Sequence, residues 1–130
     1  MLLADQEDVV TAVMDFTNGL GVDIVIEASG APAAIAVAPH VVKKLGTISQ
    51  IGLTGKDQIS FPWDEAARKA CTIVFNMSTG FTCWDRAIGM LASGAIDGDK
   101  LITHVFPLED WEKAFQMVES KQAIKALLIP

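Results

Sequence analysis

The stretch Asp23-Ile-Val-Ile-Glu-Ala28, followed by Ser29-Gly30, decides how this chain is read. A short apolar run rich in β-branched residues, ended by glycine, predicts a strand buried on both faces of a parallel sheet. On its N-terminal side, Asp5 to Phe16 reads as a helix. Asp5 is the expected N-cap, Asp8 its box partner three residues on, and Asn18-Gly19 the stop. Val9, Val10, Val13, Met14 and Phe16 supply the apolar stripe. On the C-terminal side, Ala31 to Lys44 reads as a helix kinked or restarted at Pro39 and ended by Gly46. Thr47 to Leu53 is a second strand, Thr54 to Ser60 a polar loop, Trp63 to Lys69 a short helix and Thr72 to Met77 a third strand. Thr82 to Ser93 reads as a helix with Gly94 at its end. Leu101 to Phe106 is strand-like, Leu108 to Glu119 helical, and Ile124 to Ile129 a final strand.

The order is therefore αβαβαβα followed by βαβ. Strands separated by helical crossovers make a parallel sheet, so the fold class is α/β, half or more of a doubly wound domain. Such domains open on a strand and a glycine-rich turn, whereas this chain opens on a helix.

Composition narrows the function. The chain has 130 residues, 51% of them hydrophobic and 20% charged, which is the balance of a globular domain and excludes intrinsic disorder. Ten basic residues against 16 acidic ones leave a net charge of −6, and no basic cluster exceeds Lys43-Lys44, so phosphate-driven nucleic-acid binding is disfavoured. There is no 18-residue apolar run and no basic leader before one, so neither a membrane span nor a signal peptide is expected. Two cysteines make no disulfide scaffold, and the expected location is the cytoplasm. The absence of tyrosine removes tyrosine general-acid chemistry.

Candidate chemistry concentrates at strand ends, because open parallel sheets bind ligands beyond their carboxyl edge. Three ends stand out: Glu27-Ala-Ser-Gly30, Ile51-Gly-Leu53 and Asn76-Met-Ser78. Each carries a small residue where backbone approaches closely, although Gly30 and Gly52 also read simply as turn residues. No G-x-G-x-x-G and no phosphate-loop pattern is present, and Gly19-Leu-Gly21 precedes a strand instead of opening a helix. His40 and His104 have no partner at metal-ligand spacing, so no metal site is expected. Cys71 reads as a small core residue, Cys83 as a helix-opening thiol, and Trp84 and Trp111 as packing residues near helix starts. Lys125 reads either as a surface charge or as a cation near a phosphate.

Several separated segments carry a resemblance. Gly21-Val-Asp-Ile-Val-Ile-Glu-Ala-Ser-Gly-Ala-Pro32, Lys44-Leu-Gly-Thr-Ile-Ser-Gln-Ile-Gly-Leu53, Leu91-Ala-Ser-Gly94 with Leu101-Ile-Thr-His-Val-Phe-Pro-Leu108, Glu112-Lys-Ala-Phe115 and Ala123-Ile-Lys-Ala-Leu-Leu-Ile-Pro130 occur in order and at the right spacing. Together they resemble the zinc-type medium-chain alcohol and polyol dehydrogenases, with the sorbitol- and threonine-dehydrogenase-like branches nearest. The resemblance covers essentially the whole chain and corresponds to the C-terminal part of a family member.

The resemblance implies a Rossmann-type sheet lacking its first strands over residues 1–100, and a return segment of the catalytic domain over residues 101–130. It implies hydride transfer between an alcohol carbon and NAD or NADP, with a catalytic zinc whose ligands belong to the part of the family not matched here. The unmatched part also carries the glycine-rich turn and the acidic ribose-binding residue. Residue by residue, it places Ser29 and Gly30 toward the adenosine. Ile51, Gly52 and Leu53 fall beside the nicotinamide, Asn76, Met77 and Ser78 at the carboxamide, and Lys125 near the pyrophosphate. No catalytic residue is implied, His104 has no catalytic part, and Lys44-Leu45-Gly46 departs from a family turn that often has two glycines.

Two readings follow. In one, the chain is the C-terminal part of such an oxidoreductase, inactive alone and weak or absent in NAD(H) binding. In the other, it is a stand-alone oligomerisation or binding module, because the strand Asp23 to Ala28 has an open apolar edge. The resemblance implies pairing through the opposite edge as well, near Thr72 to Met77. Met1 is open between a true start and an internal methionine.

Overall fold

The computed structural model describes residues 7–130. The chain divides into two compact units, Met1–Ser78 and Thr79–Pro130.

The first unit is a three-stranded parallel sheet with helices. Helix α1, Val9–Phe16, is capped by Asp8, whose carboxylate accepts the Val10 and Thr11 amides at 3.1 and 3.2 Å and the Thr11 hydroxyl at 2.7 Å. Asp8 is thus the cap itself, because its side chain reaches the free amides of the first turn; the expected cap at Asp5 lies outside the described residues. Strand β1, Val22–Glu27, is followed by helix α2, Pro32–Val41, strand β2, Val42–Gln50, helix α3, Trp63–Arg68, and strand β3, Thr72–Phe75. The order across the sheet is β1-β2-β3, all parallel, with Val25 opposite Ile48 and Ile48 opposite Ile73.

Two expectations need correction here. Helix α2 stops at Val41, not at Lys44, and the next residue already belongs to β2. Pro39 withdraws one helical donor, and the Lys69 ammonium donates to the carbonyls of His40 and Val42, both at 2.8 Å. The chain then bulges: Val22 pairs with Val42 and Ile24 with Thr47, with Leu45 at a φ of 61° inside the excursion. Nor is β1 buried on both faces. Val25 packs against the core of Ala38, Val42 and Ile48, while Ile24 and Ile26 point the other way and are 61% and 68% exposed. Helices cover only one face of this sheet among the described residues, and side chains alternate along a strand.

The second unit holds helix α4, Phe81–Ala92, a short 3₁₀ turn at Gly98–Lys100, strand β4, Ile102–Pro107, helix α5, Trp111–Glu119, and strand β5, Lys125–Ile129. Strands β4 and β5 pair in parallel, with Val105 opposite Leu127. Helix α5 begins three residues later than expected, because Leu108–Asp110 forms a 3₁₀ turn. Ala114 and Ala123 are the buried apolar residues of this unit. Trp111 meets Phe115 edge-to-face at 5.9 Å yet is 51% exposed, and Trp84 is 62% exposed. Both tryptophans are thus half or more open to solvent, and Trp111 still packs on Phe115.

The sequence order αβαβαβα then βαβ is the order observed.

Candidate functional site

The carboxyl ends of β1, β2 and β3 lie side by side and are fastened to one another. The Glu27 carbonyl accepts the amides of Ile51 at 2.7 Å and Gly52 at 3.1 Å, so the chain leaving β2 is held to the end of β1. The Gln50 carbonyl accepts the Asn76 amide at 2.8 Å, and the Asn76 side-chain amide donates to the Ser49 hydroxyl at 2.9 Å, so β3 is held to β2. Backbone approach is closest between the first two turns. A Cβ on Gly52 would stand 2.0 Å from the Gly30 amide nitrogen, and a Cβ on Gly30 2.2 Å from the Leu53 carbonyl oxygen. Gly30 also has a φ of 69°. Glycine is demanded at both places by the other turn's backbone.

Glu27 is the centre of this arrangement, and the sequence reading did not single it out. Its carboxylate is buried, with 4% of the residue exposed. One oxygen accepts the Ser29 amide at 2.9 Å, the Ser29 hydroxyl and the Gly30 amide at 3.0 Å; the other accepts Nε2 of Gln50 at 2.6 Å. The same Gln50 nitrogen donates to the Gly52 carbonyl at 2.9 Å. Burial opposes the charge, but the donors from Ser29, Gly30 and Gln50 outweigh it and hold the carboxyl below its ordinary range. The signal in the sequence was an acidic residue at the inward end of an apolar strand, with a glutamine ending the next strand.

The expected residues fall as follows. Ser29, Ile51, Leu53, Asn76, Met77 and Ser78 are exposed at the three strand ends, while Gly30 is buried and Gly52 half-buried between turns. Ser29 spends its hydroxyl on Glu27 and on the Ala31 amide at 3.1 Å. Lys125 lies in the second unit, exposed at the start of β5, and its carbonyl accepts the Thr103 hydroxyl. A cavity of about 560 Å³ opens on the helix-bearing face, lined by Ile35, Ile48, Phe61, Trp63, Ile73 and Phe75 together with Gln50 and Gly52. Cys71 is half-buried against the core beside β3, and Cys83 is exposed in the first turn of α4. The His104 ring stacks on Phe106 at 6.1 Å. Among the described residues no group of three or more His, Cys, Asp and Glu stands where it could hold a metal ion. No helix of the described residues is long and apolar enough to cross a membrane.

Comparison with known proteins meets this geometry. The family described as zinc-binding dehydrogenase matches residues 2–93. The sorbitol dehydrogenase of Halalkalibacterium halodurans is 31% identical over 123 residues, 95% of this chain and 36% of that protein. The L-threonine 3-dehydrogenase of Bacillus velezensis is 34% identical over 130 residues, 98% of this chain and 37% of that protein. Among solved structures, the alcohol dehydrogenase TADH from Thermus sp. ATN1 superposes with a TM-score of 0.88 at 29% identity, over 98% of this chain and 37% of that one. The chain thus spans about a third of the length of these relatives. With that match and this parallel α/β architecture, the chain belongs to the zinc-binding dehydrogenase family.

Proposed function

We propose that the chain supplies the carboxyl-edge wall of a nicotinamide dinucleotide site in an alcohol or polyol oxidoreductase. The observation that carries this reading is the fastened set of three parallel strand ends, with Ser29, Ile51, Leu53 and Met77 exposed around a tight pair of glycines. When bound, the cofactor accepts or returns hydride at its nicotinamide ring; NAD and NADP both suit the chemistry. The work of this chain is to bind and orient. Ser29 and Gly30 face the adenosine side, Ile51, Gly52 and Leu53 offer an apolar and backbone surface to the nicotinamide, and Asn76, Met77 and Ser78 offer backbone to the carboxamide. Lys125 is assigned separately as a basic residue for a pyrophosphate. Residues 1–100 are read as dinucleotide-binding and 101–130 as part of the family's catalytic domain. Among the described residues no set of side chains fits the zinc.

The chain alone is proposed to be inactive in the cytoplasm and to bind NAD(H) weakly or not at all, because the helix N-terminus that grips a pyrophosphate has no counterpart in its sequence. Calorimetry on the chain should give no tight binding of NAD(H), and any shifts that millimolar NAD produces in NMR spectra should fall on the amides of the three strand ends and around Lys125. Tight binding would contradict the first part, and shifts confined to other residues the second.

A second reading is favoured by a separate observation. β1 and β3 are the edges of the sheet among the described residues, and Ile24, Ile26 and Val74 stand exposed on one face. In this reading the chain is an assembly module that pairs with a copy of itself through a sheet edge. Light scattering should give a mass above one chain, and a monomer at high concentration overturns it.

A further inference from the structure

The carboxylate of Glu27 touches both turns of the candidate site but faces neither solvent nor cavity. Its partners are all neutral: the Ser29 amide and hydroxyl, the Gly30 amide and the Gln50 side chain. Through Gln50 it reaches the Gly52 carbonyl, and through its own carbonyl it holds the Ile51 and Gly52 amides. The two turns therefore depend on one residue, and they pack backbone to backbone at Gly30 and Gly52, with Oε2 of Glu27 2.7 Å from where a Cβ on Gly52 would stand.

We infer that Glu27 is a positioning residue: its ionised carboxylate sets the conformation of Ser29–Gly30 directly and of Ile51–Leu53 through Gln50, and so shapes the ledge without touching a ligand. An amide cannot reproduce this. A glutamine at position 27 keeps one acceptor oxygen and turns the other into a donor, which would face the Gln50 Nε2 donor. In its consequence for nucleotide binding the inference rests on the function proposed above.

Amide hydrogen exchange on the full chain tests it without nucleotide. In the wild type the Ser29, Gly30 and Gly52 amides should be protected at neutral pH. Corrected for the intrinsic pH dependence of exchange, that protection should fall as the pH drops through the titration of Glu27, while the amides paired between β2 and β3 keep theirs. Glu27→Gln should lose about 10-fold or more of the protection at Ser29 and Gly30 at neutral pH and show no further fall as the pH drops, the effect expected of a lost charge-assisted acceptor. Gln50→Leu should loosen Gly52 while Gly30 keeps most of its protection. If Glu27→Gln does not fold, the wild-type pH profile and Gln50→Leu decide the matter. A flat wild-type profile, or unchanged protection in either variant, overturns the inference. Millimolar NAD then separates the two ideas. Strand-end shifts in the wild type that vanish in Glu27→Gln join the clamp to the site. Wild-type shifts confined to residues away from the strand ends, with the exchange pattern as expected, remove the proposed site and leave the role of Glu27 standing.

Discussion

At the scale of the residue, glycine and glutamate define the strand ends for opposite reasons. Gly52 is required because the Gly30 backbone occupies the space of its missing side chain. Gly52→Ala should therefore cost roughly 1–3 kcal/mol, the range of an overpacked site. Gly89 sits in mid-α4 with nothing within 4 Å of a built Cβ, so Gly89→Ala should gain roughly 0.5–1 kcal/mol from helix propensity alone. Denaturant midpoints of the two variants check both signs. Glu27 is required for its charge. Its folded-state pKa lies below the ordinary value, so its contribution is complete above the ordinary carboxylate range and is lost as the pH falls through the lowered folded value. Stability measured by urea between neutral and acid pH should fall more steeply for the wild type than for Glu27→Gln, and equal slopes would contradict this.

At the scale of the element, alternation along the strands decides what each substitution does. Ile48 and Ile26 are both apolar strand residues, yet Ile48 is 2% exposed in the core with Ala38 and Val42, and Ile26 is 68% exposed on the other face. Ile48→Ala should cost roughly 2–5 kcal/mol. Ile26→Lys should change stability by about 0.5 kcal/mol or less and should lower self-association, read as mass by light scattering, because it places a charge on an open apolar face beside an edge strand. Element identity was legible from spacing, and the α2–β2 junction was not. The run Val41-Val42-Lys43-Lys44 continues a helical pattern as well as it starts a strand. Lys69, 27 residues after Val42, takes the carbonyls at the junction and Leu45 donates its amide to the Lys69 carbonyl at 2.8 Å, so the decision is made by a distant element.

At the scale of the whole molecule, each unit carries faces without a covering layer among the described residues. All twelve residues of α4 are exposed, Phe81, Trp84 and Ile88 included. Parallel sheets are ordinarily covered on both faces, and the chain spans about a third of the length of its relatives. Zinc belongs to this scale too, since three or four ligands must converge to hold it. After equilibration with zinc and exhaustive dialysis, elemental analysis should find no stoichiometric metal; one zinc per chain would contradict the placement of its ligands outside these residues.

Local pattern along the chain carries the alternation of strands and helices, the parallel sheet, the three strand ends and the family, because period, glycine placement and segment order need no long-range contact. It placed Ser29, Gly30, Ile51, Gly52, Leu53, Asn76, Met77 and Ser78 at those ends, where they stand. Long-range contact alone makes Glu27 and Gln50 bind the ends together, sets Gly30 against Gly52, and turns Ile24 and Ile26 away from the core. These depend on the register between β1 and β2, which brings residues 23 positions apart within hydrogen-bond reach. A carboxylate at the end of an apolar strand has no readable purpose until the donor opposite it is known.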